Sequence, residues 1–142
     1  MKKNNNIDNY IKLFQSLNLE NLNKFDELID KNIYFEDAFN KVYGIENFKK
    51  IFSNTLKKLD NVEFKVLNIF SKNNIYIIKW EMVFFAFNKN NSIFGLSEVT
   101  VGKNKKIISH IDYWDSYNNF FTKIPILGLI FKLVLSLVKK RI

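Results

Sequence analysis

The stretch NIYIIKWEMVFFAF, residues 74–87, decides the class of fold. Side chains of a β-strand point alternately to its two faces. One face of the predicted strand is therefore wholly apolar and carries Tyr76, Ile78, Trp80, Met82, Phe84 and Ala86. The opposite face mixes Lys79 and Glu81 with apolar side chains. One apolar face and one mixed face predict a strand in a sheet that covers a core on one side.

Three further segments in the second half of the chain carry strand signals. They are VEFKVLNIF (62–70), IFGLSEVTV (93–101) and IISHIDYWD (107–115), all rich in β-branched and aromatic residues. The polar stretch NKNNS (88–92) turns the chain, and GKNKK (102–106) has the composition of a tight hairpin loop. The second half therefore predicts four consecutive antiparallel strands.

The first half of the chain predicts helices with one strand among them. Apolar residues at helical spacing indicate two short helices, separated by a break at Asn18. Those residues are Tyr10, Leu13, Phe14 and Leu17, followed by Leu22, Phe25, Leu28 and Ile29. The segment NIYFEDAF (32–39) changes to a period of two, and Gly44 precedes a third helix with an apolar stripe from Ile45 to Leu59. Helices segregated from an antiparallel sheet define the α+β class.

Composition narrows the classes of function. The absence of cysteine from the 142 residues excludes disulfides, thiolate metal sites and cysteine nucleophiles. Of the 22 basic residues behind the net charge of +8, only Arg141 is an arginine, the residue that most often reads guanine edges and phosphates. We interpret the lysines as a solvated surface and predict no nucleic-acid partner. The N-terminus lacks the apolar segment of a secretory signal, so we predict a cytoplasmic protein.

The stretch IISHIDYWD contains the only histidine of the chain. A strict period of two places His110, Asp112 and Trp114 on one face of the strand, together with Ile108. An imidazole and a carboxylate two residues apart can form a hydrogen bond that leaves the second ring nitrogen free for acid or base chemistry. The alternative is that both side chains point to solvent at a sheet edge or form a structural pair.

Asp37 is the second candidate for chemistry. It shares its predicted face with Phe35 and Phe39, whose rings would keep water from the carboxyl group, the setting in which a carboxylate serves as a general base. The alternative is an Asx turn or a cap before the helix that follows Gly44. His110, Asp112 and Asp37 form only a weak metal signature, and the scattered glycines exclude a phosphate-binding loop, so we predict neither a metal nor a cofactor.

Two segments, IYFEDAFNKVYGIENFKKIF (33–52) and GKNKKIISHIDYWD (102–115), together with the order of elements, resemble the nuclear transport factor 2-like superfamily. Within it the chain is most similar to the SnoaL-like group, which also includes relatives of ketosteroid isomerase, limonene epoxide hydrolase and scytalone dehydratase. The resemblance covers about Tyr10 to Asp115. It implies a cone-shaped, curved antiparallel sheet wrapped around N-terminal helices, with an apolar pocket open at one end.

The resemblance also implies roles for particular positions. Asp37 stands where ketosteroid isomerase-like members hold the aspartate that moves protons, and His110, Asp112 and Trp114 stand on a strand that faces the pocket. Ser97 occupies about the position of the isomerase's oxyanion-hole acid, a departure that puts steroid isomerisation itself in doubt. The arginine of limonene epoxide hydrolase and the several histidines of scytalone dehydratase also lack counterparts. We therefore predict Asp37, His110 and Asp112 as candidate catalytic residues.

The predicted pocket is lined by the side chains Tyr34, Trp80, Met82, Phe84, Ser97 and Trp114. Apolar walls with few polar groups suit a small hydrophobic ligand, such as a polyketide, a terpenoid, a steroid-like ring or a fatty acyl chain. The expected chemistry is cofactor-free acid/base catalysis of the isomerase, cyclase, dehydratase or hydrolase type. Alternatively, the rings fill the cone, and the domain is a non-catalytic binding or dimerisation module. A homodimer is expected in either case.

The segment FFTKIPILGLIFKLVLSLVKKRI (120–142) forms a separate signal after a core domain of residues 1–118. Within the tail, residues 119–142, Pro125 suits the first turn of a helix. The apolar run is shorter than the ~20 residues of a bilayer span, which argues against a transmembrane helix. We predict an apolar helix with a basic end and leave its contacts open. It makes peripheral membrane contact through residues 124–142, or it packs over the pocket mouth or against a second subunit.

Overall fold

The computed structural model of the chain describes residues 5–86, 88–123 and 126–140. The helices are α1 (Asn5–Gln15), α2 (Phe25–Leu28), α3 (Ile45–Lys58), α4 (Ser116–Asn119) and α5 (Leu127–Lys139). Two 3-10 turns occupy Leu22–Lys24 and Phe121–Lys123. The strands are β1 (Ile29–Glu36), β2 (Lys41–Tyr43), β3 (Asp60–Lys72), β4 (Ile75–Ala86), β5 (Lys89–Val101) and β6 (Ile107–Trp114).

Six strands form one sheet in the order β2-β1-β6-β5-β4-β3. The predicted antiparallel run from β3 to β6 is present, and the α+β class is confirmed. The sheet is nevertheless mixed, because β1 pairs with β6 in the parallel direction. Alternating apolar residues show that a segment is a strand, but they carry no information about the direction of a distant partner, so the wholly antiparallel prediction is wrong at this one pairing.

Two local predictions in the first half of the chain also need correction. The predicted second helix is only a 3-10 turn followed by α2, and Ile29, predicted to lie in that helix, begins β1. The short strand β2 was not predicted; it pairs with β1 through Tyr34 opposite Tyr43 and Glu36 opposite Lys41. Gly44 does precede α3, as predicted. Its φ of +90° is one that a residue with a side chain would adopt only under strain.

The helices α1, α2 and α3 pack on one face of the sheet. Tyr10, Phe25, Phe35 and Phe48 are fully buried in the core between these layers. Phe48 meets the rings of Phe25 and Phe35 edge to face, with ring centroids 5.2 and 5.4 Å apart. Edge-to-face contacts of this kind add to the stabilisation that comes from burying aromatic area.

An irregularity in the pairing of β5 with β6 determines which side chains of β6 point inwards. The pairing places Ser109 opposite Thr100 but Ile107 opposite Val101, so Ile108 is the extra residue of a bulge. Ile107 and His110 are both buried, whereas Ile108 is exposed. The prediction that Ile108 shares the face of His110 is therefore wrong, because a bulge interrupts the period of two on which it relied.

The last helix, α5, extends away from this core. Its first turn contacts the preceding 3-10 turn, and Gly128 is buried against Thr122, where a Cβ atom would lie 2.5 Å from the Thr122 carbonyl oxygen. Most of its other apolar side chains are exposed. Within the described ranges no helix has the length and apolar character needed to cross a bilayer. Pro125, predicted to lie in the first turn of this helix, falls outside the described residues.

Candidate functional site

A cavity of about 840 Å³ lies between the helix-covered face of the sheet and the helices α1 and α3. Its walls are largely apolar, formed by rings and branched chains such as Phe14, Phe35, Phe52, Phe64, Ile78 and Ile93. Its volume is within the range of ligand pockets, roughly 300–1,000 Å³. Exposed side chains that also line it, among them Phe39, Phe120 and Lys123, mark its open end. We call this end the mouth.

His110 lies in the wall of this cavity, and both of its ring nitrogens have partners. Its Nδ1 atom lies 2.5 Å from the Tyr10 hydroxyl group, and its Nε2 atom lies 2.8 Å from Oδ1 of Asp112. The Ser97 hydroxyl lies 3.1 Å from the same Nε2 atom. His110 is 4 % exposed and Tyr10 is 1 % exposed, so water does not substitute for these partners. The expectation that one ring nitrogen is free for chemistry is wrong, because Tyr10 occupies it.

These partners determine which atoms carry the protons when the imidazole is neutral. The Asp112 carboxylate can only accept, so Nε2 of His110 donates to it and Nδ1 carries a lone pair. The Tyr10 hydroxyl then donates to Nδ1. Burial, together with the nearby charge of Asp112, raises the pKa of Tyr10 well above its usual value, so its hydroxyl keeps the proton that this bond requires.

A second branch of the network reaches Asp112 from the neighbouring strands. Ser97 on β5 donates its hydroxyl proton to Oδ1 of Asp112 over 2.5 Å, and Trp80 on β4 donates its indole N–H to the Ser97 oxygen over 2.8 Å. The register of the sheet accounts for these contacts, because Ser97 lies directly opposite Asp112. Gly95 makes room for the indole, since a Cβ atom there would lie 2.3 Å from the Trp80 ring.

The result is an asymmetric carboxylate in an apolar cavity. Oδ1 of Asp112 accepts from both Ser97 and His110, whereas no described residue donates a hydrogen bond to Oδ2. The Asp112 side chain is 15 % exposed and lines the cavity. Two donors thus hold the carboxyl group in one orientation, and its second oxygen is available to a group inside the cavity. The arrangement can accept a hydrogen bond or a proton there.

Asp37 lines the same cavity but has a different environment. It follows β1, and its Oδ1 atom accepts from the backbone N–H groups of Phe39 and Asn40 over 2.8 and 2.6 Å. The side-chain amide of Asn40 donates to both carboxylate oxygens. This is the Asx-turn geometry that was the alternative to a catalytic role. Asp37 therefore organises the β1–β2 loop near the mouth, with its oxygens already engaged.

The remaining predicted site residues divide between the cavity and the outer surface. The cavity wall contains Trp80, Met82, Phe84, Ser97 and Trp114. Tyr34 does not line it, because Tyr34 precedes Phe35 on β1 and therefore points to the opposite face of the sheet. Its hydroxyl group donates to Glu36, and its ring lies 5.0 Å from that of Tyr43. The placement of Tyr34 in the pocket wall is thus wrong.

Tyr10 is the site residue that the sequence did not reveal. Its spacing with Leu13, Phe14 and Leu17 is that of a helix core position, and its ring does pack against Phe14 and Phe25. Its hydroxyl group reaches a histidine 100 positions later in the chain. A tyrosine rather than a phenylalanine at an apolar position was the one available signal, because a buried hydroxyl group needs a partner.

No group of three or more potential metal ligands among His, Cys, Asp and Glu occurs in the described part of the chain. In particular, Asp37 does not join His110 and Asp112 in such a group.

The fold is similar to that of solved proteins described as SnoaL-like, nuclear transport factor 2-like and ketosteroid isomerase-like. A SnoaL-like protein from Jannaschia sp. CCS1, provisionally described as a polyketide cyclase, superposes with a TM-score of 0.67 at 11 % identity, covering 78 % of this chain and 85 % of that one. An LEH-like epoxide hydrolase from M. tuberculosis superposes with a TM-score of 0.66 at 14 % identity, covering 82 % of this chain and 80 % of that one. The third structure is a hypothetical protein with a ketosteroid isomerase-like fold from Catenulispora acidiphila DSM 44928, in complex with trimethylamine. It superposes with a TM-score of 0.69 at 12 % identity, covering 80 % of this chain and 88 % of that one. Identities this low establish a shared fold and nothing about activity.

The chain belongs to the family described as "Uncharacterized conserved protein (DUF2358)", whose model matches residues 8–110. A search of curated proteins found no match to the sequence. The matched range includes Tyr10, Ser97 and His110 and ends before Asp112.

Proposed function

We propose that the protein binds a small hydrophobic molecule in the cavity and transfers a proton to or from it through Asp112. The observation that carries this proposal is the asymmetric carboxylate. Oδ1 of Asp112 is held by Ser97 and His110, while Oδ2 has no donor among the described residues. A preorganised carboxylate in an apolar cavity is the arrangement that general acid/base catalysis uses.

The lining of the cavity supports a hydrophobic class of ligand. Its apolar walls favour a hydrophobic body, such as a polyketide, terpenoid, steroid-like ring or fatty acyl chain. The Oδ2 atom favours a ligand that brings a hydrogen-bond donor, such as a hydroxyl or ammonium group, or a weakly acidic C–H bond. A ligand with a buried carboxylate of its own would repel Asp112 in this low-dielectric setting.

The buried network gives each residue a separate task. Asp112 accepts the proton from the ligand at Oδ2 and returns it at another atom, which is the sequence of steps in a cofactor-free isomerase, cyclase or dehydratase. The hydrogen bond from Nε2 of His110 stabilises the carboxylate between turnovers, and Tyr10 holds the imidazole in the tautomer that can donate. Trp80 orients Ser97 towards Asp112. His110 and Tyr10 are thus positioning residues.

Displacement of a neutral dye tests both the cavity and the carboxylate. Nile red bound in the cavity would be displaced by decylamine, decanol and decanoic acid, which share one apolar chain and differ in the head group. We expect the amine and the alcohol to compete well and the carboxylate poorly. The variant Asp112→Asn should lose the preference for the amine, whereas Asp26→Asn, a change at a half-exposed carboxylate that pairs with Lys49 outside the cavity, should keep it.

Two results would contradict the proposal. One is failure of Met82→Trp, which fills the cavity, to weaken dye binding. The other is an identical ranking of the three competitors in the parent protein and in Asp112→Asn. Native mass spectrometry of gently purified protein would identify a copurifying ligand, and turnover of that ligand by the parent protein but not by Asp112→Asn would establish catalysis.

A second candidate function is a dimerisation module, supported by the outer face of the sheet. Exposed apolar side chains lie in neighbouring rows of this face, with Leu96 opposite Tyr113, and Phe94 two residues before Leu96. On β4, Lys79 lies opposite Leu96 and Glu81 lies opposite Phe94, so both charged side chains belong to this patch. Because a two-fold interface places the same patch on both subunits, a patch with both charge signs can complement itself. These features support a homodimer formed through this face.

The dimer is tested by sedimentation equilibrium over a range of protein concentrations. We expect Leu96→Glu to shift the protein to the monomer. In a two-fold dimer it would bury the introduced carboxylate and that of Glu81 from each subunit, four carboxylates in all, near one another. Leu19→Glu introduces the same charge at an exposed leucine away from the sheet and should leave the mass unchanged. A parent protein that is monomeric at every concentration would exclude this function.

A further inference from the structure

The helix α5 exposes an apolar surface that no described part of the chain covers. Leu129, Leu133 and Leu137 follow one another at intervals of four residues and are 73 %, 65 % and 57 % exposed. At 3.6 residues per turn these leucines share one side of the helix. Gly128 and Phe131, which contact α4 and the 3-10 turn before the helix, lie on roughly the opposite side. The exposed leucines therefore point away from that segment.

The anchoring of α5 keeps this surface in a defined place. Gly128 allows the helix to approach Thr122 closely, since any Cβ atom would clash with the Thr122 backbone. The ring of Phe131 lies 5.1 Å from that of Phe121 and 6.4 Å from that of Tyr117. The first turn of α5 is thus attached to the segment that follows β6, and the exposed side of the helix has a fixed relation to that segment.

The same segment forms part of the cavity mouth. Phe120 and Lys123 line the cavity, and both are exposed. Phe120 also contacts Phe39, whose exposed ring lines the cavity from the other side and lies 5.3 Å from that of Trp114. The apolar side of α5 and the aromatic side chains of the mouth therefore occupy one end of the molecule.

Charge identifies the occupant of the apolar surface. The sequence contains no Asp or Glu after Asp115, whereas Lys123, Lys132, Lys139 and Lys140 lie along the segment. Two copies that met through α5 would bring lysines together without acidic partners from this segment. An anionic lipid surface supplies the complementary charge, and long lysine side chains reach the head groups from the flanks of a helix that lies in the interface.

We infer that α5 lies in the plane of an anionic phospholipid membrane and holds the cavity mouth against the bilayer, so that the hydrophobic ligand reaches the cavity from the lipid phase. The placement of the ligand rests on the proposed function, whereas attachment of α5 to the membrane does not. An apolar molecule is concentrated in a bilayer rather than in water, and a mouth at the interface spares it the passage through water.

Sedimentation of the full-length protein with vesicles tests the attachment. We expect binding to phosphatidylcholine vesicles that contain phosphatidylglycerol and much weaker binding to phosphatidylcholine alone. The variant Leu133→Gln should weaken binding about tenfold or more, and each lysine of the helix changed to glutamine should weaken it about fivefold. Leu67→Gln, which removes an exposed leucine from β3, is the matched control and should bind like the parent protein. Equal partition of all variants would overturn the attachment.

The orientation of the mouth is tested with an environment-sensitive fluorophore on single cysteines, because the chain has no cysteine of its own. We expect a blue shift on anionic vesicles for labels at Leu133→Cys and at Phe39→Cys. A label at Asn73→Cys, in the β3–β4 turn at the far end of the strands, should not respond. A response at Leu133→Cys without one at Phe39→Cys would overturn the placement of the mouth. Because the protein is tested without a ligand, neither result depends on the outcome of the dye displacement.

Discussion

The hydrogen bond from Tyr10 to His110 predicts a measurable loss of stability when it is removed. In Tyr10→Phe the ring remains in the core, and only the hydroxyl group is lost. Nδ1 of His110 then has no partner at a position that is 4 % exposed, while Nε2 stays bonded to Asp112. An unsatisfied buried acceptor costs about 1–3 kcal/mol. For a domain of this size that corresponds to a fall in Tm of roughly 3–10 °C.

Urea unfolding followed by tryptophan fluorescence measures this cost. The control is Tyr113→Phe, which removes a hydroxyl group from an exposed ring on the outer face of the sheet and should change the free energy of unfolding by no more than about 0.5 kcal/mol. A Tyr10→Phe variant as stable as this control would refute the dependence of His110 on Tyr10.

The tautomer of His110 gives an independent check of the same bond. The chain has a single histidine, so its ring nitrogens can be assigned in an NMR spectrum without ambiguity. For the neutral ring we expect the proton on Nε2, because the Asp112 carboxylate can only accept a hydrogen bond. A proton on Nδ1 would show that Tyr10 is not the donor, and the assignment of roles in the network would be wrong.

Three further predictions concern stability. Gly95→Ala should cost about 1–3 kcal/mol in urea unfolding, because the added methyl group would lie 2.3 Å from the Trp80 ring; a cost near zero would show that the indole can move freely. Burial raises the pKa of the Tyr10 hydroxyl, which in the unfolded chain ionises near pH ~10. The hydroxyl therefore stabilises the fold below pH ~10, and this stabilisation should be lost as the pH rises towards the pKa in the folded protein. The difference in stability between the parent protein and Tyr10→Phe should shrink above pH ~10, and a constant difference would contradict this. Asn73 has a φ of +57°, so Asn73→Ala should lower the free energy of unfolding by about 1 kcal/mol and Asn73→Gly should not; equal effects would remove the backbone explanation.

Local patterns predicted much of the candidate site. The alternation along β4 placed Trp80, Met82 and Phe84 on one face, and all three line the cavity. The same reasoning on β6 placed Asp112 beside His110, and the two side chains are hydrogen-bonded. Both results follow from the geometry of a single strand, which residues close together in the chain determine by themselves.

Contacts between distant segments could not be obtained in this way. The bond between Tyr10 and His110 joins a helix to a strand 100 positions away, and the opposition of Ser97 and Asp112 depends on the register of β5 against β6. The misplacement of Tyr34 has a different cause. Tyr34 precedes Phe35 on the strand, so the same period of two that put Phe35 and Asp37 on the pocket face already put Tyr34 on the other face.

The amino-acid sequence by itself determined the α+β class, the position of α3 after Gly44, the polar pair on β6 and the basic, apolar character of the C-terminal helix. These properties depend on periodicity and composition over a few turns of helix or a few residues of strand. The tertiary structure alone decided the parallel pairing of β1 with β6, the bulge at Ile108 and the partners of His110. It also decided that both carboxylate oxygens of Asp37 accept from Asn40, whereas Oδ2 of Asp112 has no donor among the described residues, because the whole topology determines which donors come within reach.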